Sequence, residues 1–314
     1  MLRMFFCTDV HGSEVCFRKF LSAGRVYEAS VVIMGGDCTG KMIIPLVSDG
    51  NGGYHCSWSG GDVDVHSPEE LEELERQIQN NGLYPARMNQ EERDRLQTDP
   101  ELLGGLFSQL MAETLRRWLA LAEERLHDSG QRVIFTPGND DEWAVDDVLR
   151  ESSFVESPEG TITRVGGQHE MLSLGWANPT PWDTPRECSE EELRAKIDAL
   201  ASQIEDMENA IFNIHVPPWG TGLDNAPELE DGASRVKRGG SIMKPVGSTA
   251  VRDAILEYQP LLSLHGHIHE SRGVQRLGKT VVINPGSAYS DWTLQGVIVD
   301  LEDHQVARFV PTTG

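Results

Sequence analysis

Short apolar runs alternate along most of this chain with segments that have a helical pattern. Because the runs show little alternation of polar and apolar positions, they are typical of strands that are buried on both faces. The runs lie at residues 2–7, 30–34, 132–136, 171–174, 211–215 and 261–264. A strand-rich tail follows them at residues 274–277, 280–283, 296–301 and 305–310. The order of these segments predicts an α/β fold.

A long insertion separates the second apolar run from the third and covers residues 49–130. Ser67 and Pro68 have the residue types that start a helix, as N-cap and first-turn residue. A second, longer helix is predicted at about 101–127 from its apolar period. We therefore expect a largely helical insertion, forming a lid or rim within a single domain over residues 1–314.

A further helix is predicted in the second half of the chain, at about 189–209. Ser189 and Glu192 have the spacing of a capping box, which satisfies backbone N–H groups at a helix start. The apolar positions that follow recur with helical spacing, so we expect one face of this helix to pack into the core.

The composition excludes several classes of protein. With 27 Lys and Arg against 50 Asp and Glu, the chain carries a formal net charge of −23. This charge argues against general binding to nucleic acid or an anionic membrane, because long-range repulsion opposes the encounter. A phosphorylated substrate stays compatible with it, since metal ions can reverse the local field. Hydrophobic residues make up 39%, which is too many for a disordered chain.

The cysteines and the N-terminus indicate in which cellular compartment the protein is expected. The five cysteines are an odd number, and the chain shows no export signal at its N-terminus. No apolar run approaches the roughly 18–20 residues that a membrane-spanning helix needs. We therefore expect a cytoplasmic protein with reduced thiols.

Polar residues follow the apolar runs, at the points where strands should end. They form five groups: Asp9-Val10-His11, Gly35-Gly36-Asp37, Gly138-Asn139-Asp140, His215-Val216-Pro217-Pro218 and Gly266-His267-Ile268-His269. In open α/β sheets, functional residues collect outside the carboxyl ends of the strands. Carboxylate oxygens together with imidazole nitrogens suit Mn, Fe, Co, Ni or Zn better than Ca or Mg alone. The sequence therefore predicts a transition-metal site at one edge of a sheet.

The five groups, in this order and spacing, resemble the calcineurin-like metallophosphoesterase superfamily. The resemblance implies a four-layer α/β/β/α sandwich with two metal ions at the strand ends. One ion would be held by Asp9, His11, Asp37 and His269, and the other by Asp37, Asn139, His215 and His267. Two further segments, residues 178–187 and 283–287, look like features of a bacterial and archaeal branch of the superfamily.

Asn139 and Asp140 are the candidate catalytic residues. Two ions about 3.5–4 Å apart hold a hydroxide, lower its pKa and stabilise in-line attack on phosphorus. Many relatives have a histidine after the asparagine, where it is thought to protonate the leaving oxygen, whereas this chain has Asp140. A carboxyl group can supply that proton only if its surroundings raise its pKa. Otherwise the substrate must have a leaving group that needs little help.

Several other residues are weaker candidates for contact with the substrate. Lys41 ends a partial phosphate-loop pattern, but Met42 stands where a Ser or Thr would bind Mg²⁺, so this is not a phosphate loop. Lys41 stays a candidate for contact with the substrate. No acid occurs from residue 232 to 252, so Arg235, Lys237 and Arg238 form either an anion-collecting rim or a solvated loop.

Residues beside the motifs are expected to have structural roles. His265 is read as a packed or supporting residue, not a ligand. Asp141 and Glu142 are read as the start of a helix, where acidic residues are favoured by the helix dipole.

These observations predict a phosphoesterase with two divalent ions, Mn²⁺, Fe, Zn²⁺, Ni²⁺ or Co²⁺. The expected substrate is a phosphodiester or phosphomonoester of a small molecule or nucleotide. A nuclease of the same fold is the first alternative, although the net charge counts against it. A non-catalytic scaffold is the second alternative. The sequence leaves the substrate, the native metal and the oligomeric state open.

Overall fold

The computed structural model describes residues 1–228 and 242–314, which fold into strands and helices that alternate along the chain. The strands are β1 (Leu2–Cys7), β2 (Val31–Gly35), β3 (Ile43–Ser48), β4 (Tyr54–Trp58), β5 (Gly61–Val65), β6 (Tyr84–Met88), β7 (Arg132–Thr136), β8 (Val155–Glu156), β9 (Ile162–Gly166), β10 (His169–Leu174), β11 (Ile211–Ile214), β12 (Asn225–Pro227), β13 (Met243–Pro245), β14 (Leu262–Leu264), β15 (Gly273–Leu277), β16 (Thr280–Asn284), β17 (Gln295–Glu302) and β18 (Gln305–Thr313). The α-helices are α1 (Glu14–Val26), α2 (Pro68–Asn80), α3 (Gln90–Thr98), α4 (Pro100–Leu126), α5 (Ala144–Arg150), α6 (Glu190–Ala201) and α7 (Thr249–Tyr258).

Two six-stranded sheets form the body of the structure. The first has the strand order β18-β17-β1-β2-β7-β8, and the second has the order β15-β16-β14-β11-β10-β9. In the first sheet β1, β2 and β7 run parallel, and in the second β10, β11, β14 and β16 do. All ten strands predicted from the sequence are present, with shifts of at most a few residues at their ends. The predicted α/β class is confirmed.

Apolar side chains from both sheets meet in one buried cluster. Met4 and Ile33 come from the first sheet, while Met171, Ile211 and Leu264 come from the second. Two further clusters join the other faces of the sheets to helices: α1, α4 and α5 contribute to one, and α6 and α7 to the other. The central parallel strands are thus covered on both faces, which explains their unbroken apolar runs.

The insertion forms a four-stranded sheet together with β3, which directly precedes residue 49, and the sequence analysis missed this sheet. Its strand order is β5-β4-β3-β6. The helices α2, α3 and α4 belong to the same part of the sequence. Pro45 and Pro85 lie inside β3 and β6, and proline inside an apolar run argues against a central strand. β5 is mostly exposed, so it lacks the apolar run that marks a buried strand. The predicted helix start at Ser67 is confirmed, because the Ser67 hydroxyl accepts a hydrogen bond from the Glu70 N–H.

The helix predicted at 189–209 is shorter than expected. Its capping box is confirmed, with Ser189 and Glu192 bonded to each other's backbone N–H groups. However, α6 ends at Ala201, and the N–H groups of Gln203 and Ile204 then bond three residues back. Such bonds tighten the last turn and end the helix.

None of the helices formed by residues 1–228 and 242–314 combines the length and the apolarity that a membrane crossing requires.

Candidate metal centre

The seven predicted ligands converge where the parallel strands of both sheets end. Asp9 and His11 follow β1, Asp37 follows β2, Asn139 follows β7, His215 follows β11, and His267 and His269 follow β14. Three groups of three side chains have donor atoms that all lie within 4.8 Å of one another. The first group is Asp9, His11 and His269, the second is Asp37, His215 and His267, and the third is His11, Asp37 and Asp140. The structure therefore brings the predicted residues together, and metal binding by them stays a prediction.

Asp37 belongs to the second group and also lies beside His11 of the first group. Its carboxylate Oδ1 is 3.4 Å from His215 Nε2, and its Oδ2 is 3.7 Å from His11 Nε2. Within the first group, His11 Nε2 is 3.0 Å from His269 Nε2. In the second group, His267 Nδ1 is 2.7 Å from the Oδ1 of Asn139. This arrangement gives Asp37 one oxygen facing each group, as a bridging ligand requires.

A buried imidazole nitrogen without a hydrogen-bond partner bears on whether a metal ion fits this site. The His215 Nδ1–H donates to the Gly35 carbonyl over 3.1 Å, which leaves Nε2 as the atom that takes up a proton or binds a metal ion. That Nε2 atom is buried and has no hydrogen-bond partner. Buried polar atoms are nearly always satisfied, so an unpaired one that faces two carboxylates fits a metal ligand. The donor set and its geometry therefore fit divalent metal ions.

The histidines in this cluster have unequal proton affinities. Burial lowers the pKa of His11 to about 3 and that of His267 to about 4, so both are neutral at pH 7. Burial also works against a charge on His215, but the carboxylates of Asp37 and Asp9 outweigh it and raise its pKa to about 10. A cation is thus favoured between the two carboxylates, and a metal ion would take the place of that proton.

The backbone at the ligands lies in an uncommon conformation. Asp9, His11, Asp37 and His267 have φ angles of 53°, 43°, 48° and 66°. Left-handed backbone is rare for residues other than glycine, and it clusters at functional sites where surrounding contacts hold it in place. Here Asp9 N–H bonds to the Gly36 carbonyl and His11 N–H to the Asp37 carbonyl, which ties the first two ligand loops together.

Asp140 lies at the edge of the same cluster. Its backbone N–H donates to the Asp37 Oδ1 over 3.0 Å, and its carboxylate forms an ion pair with the Lys41 ammonium group. Burial, together with the Asp37 charge, raises the pKa of Asp140 to about 6, although Lys41 opposes the shift. Both residues are thus placed beside the predicted ligands, whereas Arg235, Lys237 and Arg238 lie outside the described residues.

Asp141 does not start a helix, which corrects the sequence prediction. Helix α5 begins only at Ala144, with Trp143 as its cap. The Asp141 carboxylate is fully buried and accepts hydrogen bonds from the backbone N–H groups of Cys38, Thr39 and Gly138. It therefore ties the loop after β2 to the loop after β7. His265 is buried and bonded to backbone carbonyls, as expected for a packed residue.

Residues 178–187 hold the side chain of Asn139, a role that the sequence analysis did not assign. The Thr184 hydroxyl is 2.8 Å from Asn139 Nδ2, which donates to it. That hydroxyl in turn donates to the Glu187 Oε1 over 2.6 Å, and Glu187 also accepts from Thr180. Because the amide nitrogen is held by Thr184, the amide oxygen faces the site. No local pattern in the sequence marks this role, because Thr184 and Asn139 are 45 residues apart.

Replacing Thr184 with valine should lower the affinity for Mn²⁺ by about 10- to 100-fold, which is typical for loss of a group that orients a ligand. The affinity can be measured by competition with a chelating dye, without an activity assay. Thr180→Val is the matched control, because it removes a hydrogen bond to Glu187 without contact to Asn139. An equal loss of affinity in both variants would contradict a specific role for Thr184.

Residues 283–287 join two other ligand loops. Asn284 donates to the carbonyls of Gly266 and Ile268, which flank His267. The Ser287 hydroxyl donates to the Asp9 carbonyl over 2.7 Å. This segment therefore fixes the loop after β14 against the loop after β1.

Comparisons with known proteins show a shared fold. No family model matches the chain. The uncharacterized protein MJ1162 of Methanocaldococcus jannaschii is 29% identical over 174 residues, which cover 54% of this chain and 72% of that protein. The crystal structure of TT1561 of Thermus thermophilus aligns over 99% of this chain and 98% of that chain, with a TM-score of 0.54 and 12% identity. Yfce, a phosphoesterase from E. coli, aligns over 98% of both chains, but with a TM-score of 0.33 and 11% identity.

Proposed function

We propose that this chain, which has the fold of the calcineurin-like metallophosphoesterases, is a metal-dependent phosphoesterase. The observation that supports this most is the convergence of Asp37 with two groups of carboxylate and imidazole donors at the strand ends. The proposal includes the four-layer α/β/β/α arrangement and a single domain in which residues 49–130 form a rim beside the site.

In this proposal one ion is held by Asp9, His11, Asp37 and His269, and the second by Asp37, Asn139, His215 and His267. When bound, two such ions lower the pKa of water and stabilise the charge that develops on phosphorus. The substrate is a phosphodiester or phosphomonoester of a small molecule or nucleotide. A net charge of −23 disfavours long nucleic acids, and Arg235, Lys237 and Arg238 are proposed to attract the substrate anion locally.

Metal removal tests the proposal. Treatment with a chelator should abolish hydrolysis of bis(p-nitrophenyl) phosphate, and Mn²⁺ should restore it. Elemental analysis of the restored protein is expected to find two ions per chain. Hydrolysis that survives complete removal of the metal would contradict the proposal, and so would a fully active protein with one ion.

We propose that Asp140 supplies a proton to the leaving group. Its raised pKa of about 6 and its place beside Asp37 support a role as the acid that protonates the leaving oxygen, with Lys41 holding its carboxyl group. Most Asp140 carboxyls are ionised at pH 7, so only a small fraction of the protein carries the proton that the leaving oxygen needs. Esters whose leaving groups need no proton should therefore be the better substrates.

Aryl esters are accordingly expected to be cleaved faster than alkyl esters. Asp140→His should raise kcat/KM for an alkyl ester more than for the p-nitrophenyl ester, by something approaching the roughly 10²-fold that general acid catalysis contributes. Steady-state kinetics on the two ester types measure this difference. An equal change for both types would rule out the acid role, because nitrophenolate leaves without a proton.

A further inference from the structure

Tyr289 packs against the metal centre, although it belongs to none of the five sequence motifs. Its ring centroid is 4.8 Å from that of His11 and 5.9 Å from that of His269, with interplanar angles of 51° and 84°. The rings of His11 and His269 themselves lie 4.9 Å apart. Tilted and edge-to-face arrangements at such distances are favourable for aromatic rings. The three rings therefore form one packed cluster, and both of its histidines belong to the first group of predicted ligands.

These two histidines lack the hydrogen bond that usually orients a metal-binding imidazole. Such a ring almost always donates its second N–H group to a carboxylate, a carbonyl or water. His215 follows this rule through the Gly35 carbonyl. The Nδ1 atom of His11 is buried and has no partner among residues 1–228 and 242–314, and no residue in those ranges bonds to His269 Nδ1. Within the described chain, the rings of His11 and His269 are therefore held by packing and not by such a hydrogen bond.

The backbone around Tyr289 is fixed on both sides. Before it, the Ser287 N–H donates to the His269 carbonyl over 3.2 Å, and the Ser287 hydroxyl donates to the Asp9 carbonyl. After it, a short turn closes where the Trp292 N–H donates to the Tyr289 carbonyl over 2.9 Å. The tyrosine ring thus lies on a segment that is bonded to two of the ligand loops.

The ring of Tyr289, and not its hydroxyl, makes the contacts with the histidines. The hydroxyl has no hydrogen-bond partner among the residues that the structure describes. Burial raises the pKa of the Tyr289 phenol, so the hydroxyl stays protonated at pH 7. The side chain therefore contacts the ligands as a neutral aromatic group.

We propose that Tyr289 is a positioning residue of the metal centre, whose ring keeps His11 and His269 turned toward the ion that they share with Asp9. The inference rests on the proposed function, in which these histidines bind metal. This ion would depend on ring packing, whereas the other would depend on the hydrogen bonds that hold His215 and Asn139. The two ions should therefore respond to different substitutions.

Titration with Mn²⁺ in competition with a chelating dye tests the inference without an activity assay. The wild-type protein should bind two ions per chain. Tyr289→Ala should weaken one of the two binding steps by about 10- to 100-fold, the loss typical when a group that orients a metal ligand is removed, and leave the other step unchanged. Tyr289→Phe keeps the ring and should bind both ions as the wild-type protein does.

Tyr27→Ala is the matched control, because Tyr27 is also half-buried but stacks on Phe5 instead of on a ligand. It should leave both binding steps unchanged. Thr184→Val should weaken the step that Tyr289→Ala spares, so the protein with both substitutions should bind both ions weakly. Two ions bound tightly by a folded Tyr289→Ala protein would overturn the inference. A loss in Tyr289→Phe as large as in Tyr289→Ala would overturn it too, because the hydroxyl would then be the active part.

Nuclear magnetic resonance of the histidine rings in metal-free protein provides the second measurement. In Tyr289→Ala the ring signals of His11 and His269 should broaden or split, because the rings are no longer held in one orientation, while the signal of His215 should stay sharp. Sharp, single signals for His11 and His269 in that variant would overturn the inference. A wild-type protein that binds no Mn²⁺ would instead count against the proposed function, and the ring signals would still decide whether Tyr289 orients the two histidines.

Discussion

Replacing Asp37 with alanine is expected to abolish hydrolysis of bis(p-nitrophenyl) phosphate, by at least about 10³-fold in kcat/KM. The same variant should retain at most one Mn²⁺ per chain after reconstitution. The physical reason is that the Asp37 oxygens lie within 3.4 Å of His215 Nε2 and 3.7 Å of His11 Nε2, so its removal takes a donor from both groups at once. Elemental analysis and steady-state kinetics on the same preparation measure the two effects.

Asp128→Ala is the matched control for this experiment, because Asp128 is exposed and belongs to neither group. Asp37→Asn keeps the shape of the side chain and removes its charge, and circular dichroism should show that it folds. If an Asp37→Ala protein that is folded still binds two ions, Asp37 is not a bridging ligand.

Replacing Gly138 with alanine should also abolish the proposed hydrolysis, although the new side chain has no chemistry of its own. A Cβ at this position would lie 2.2 Å from the Asp37 Oδ1 and 2.4 Å from the Asp37 backbone nitrogen. Backbone cannot yield as a flexible side chain does, so either Asp37 or the loop after β7 must move. We expect a free energy of unfolding lowered by about 1–3 kcal/mol, as for other overpacked sites, and loss of most metal binding.

Gly104→Ala is expected to have the opposite effect on the stability of the protein. Gly104 lies in α4, and a Cβ there meets no atom within 4 Å. Alanine in a helix is favoured over glycine by about 0.5–1 kcal/mol, so this variant should be slightly more stable and fully active. Denaturant unfolding compares the two variants. A Gly138→Ala protein as stable and as active as Gly104→Ala would show that the ligand loops are not tightly packed.

The parts of the fold that the sequence predicted are those set by local patterns. Buried parallel strands such as β1 and β7 consist mostly of apolar residues, and the predicted metal ligands follow them in the sequence. Their meeting at one edge follows from parallel topology, which the resemblance implied and the structure shows. Each strand and each motif is marked by residues that are close together in the sequence. Both could therefore be predicted without knowing any long-range contact.

What the sequence did not predict depends on contacts between distant segments. Pro45 sits in a strand because β3 is held by β6 and by packing on both faces, which overrides the local preference. The role of Asp141 arises from donors more than 100 residues away in the chain, at Cys38 and Thr39. Thr184 likewise acts across 45 residues on Asn139. Residue type alone could not distinguish these carboxylate and hydroxyl groups from surface ones.

The small sheet of the insertion has no free face along β3. Ile43 and Val47 pack into the cluster that contains the first sheet, whereas Ile44 and Leu46 pack with the apolar side of α2. A strand held on both sides in this way cannot swing away from the body without exposing core residues to water, so its amide protons should exchange only when the whole domain opens. The small sheet is consequently part of one cooperative unit with the first sheet. In the proposed function, we expect it to limit by a fixed shape which substrates fit, and we expect that it could not be moved between related proteins without the core positions that pack beneath it.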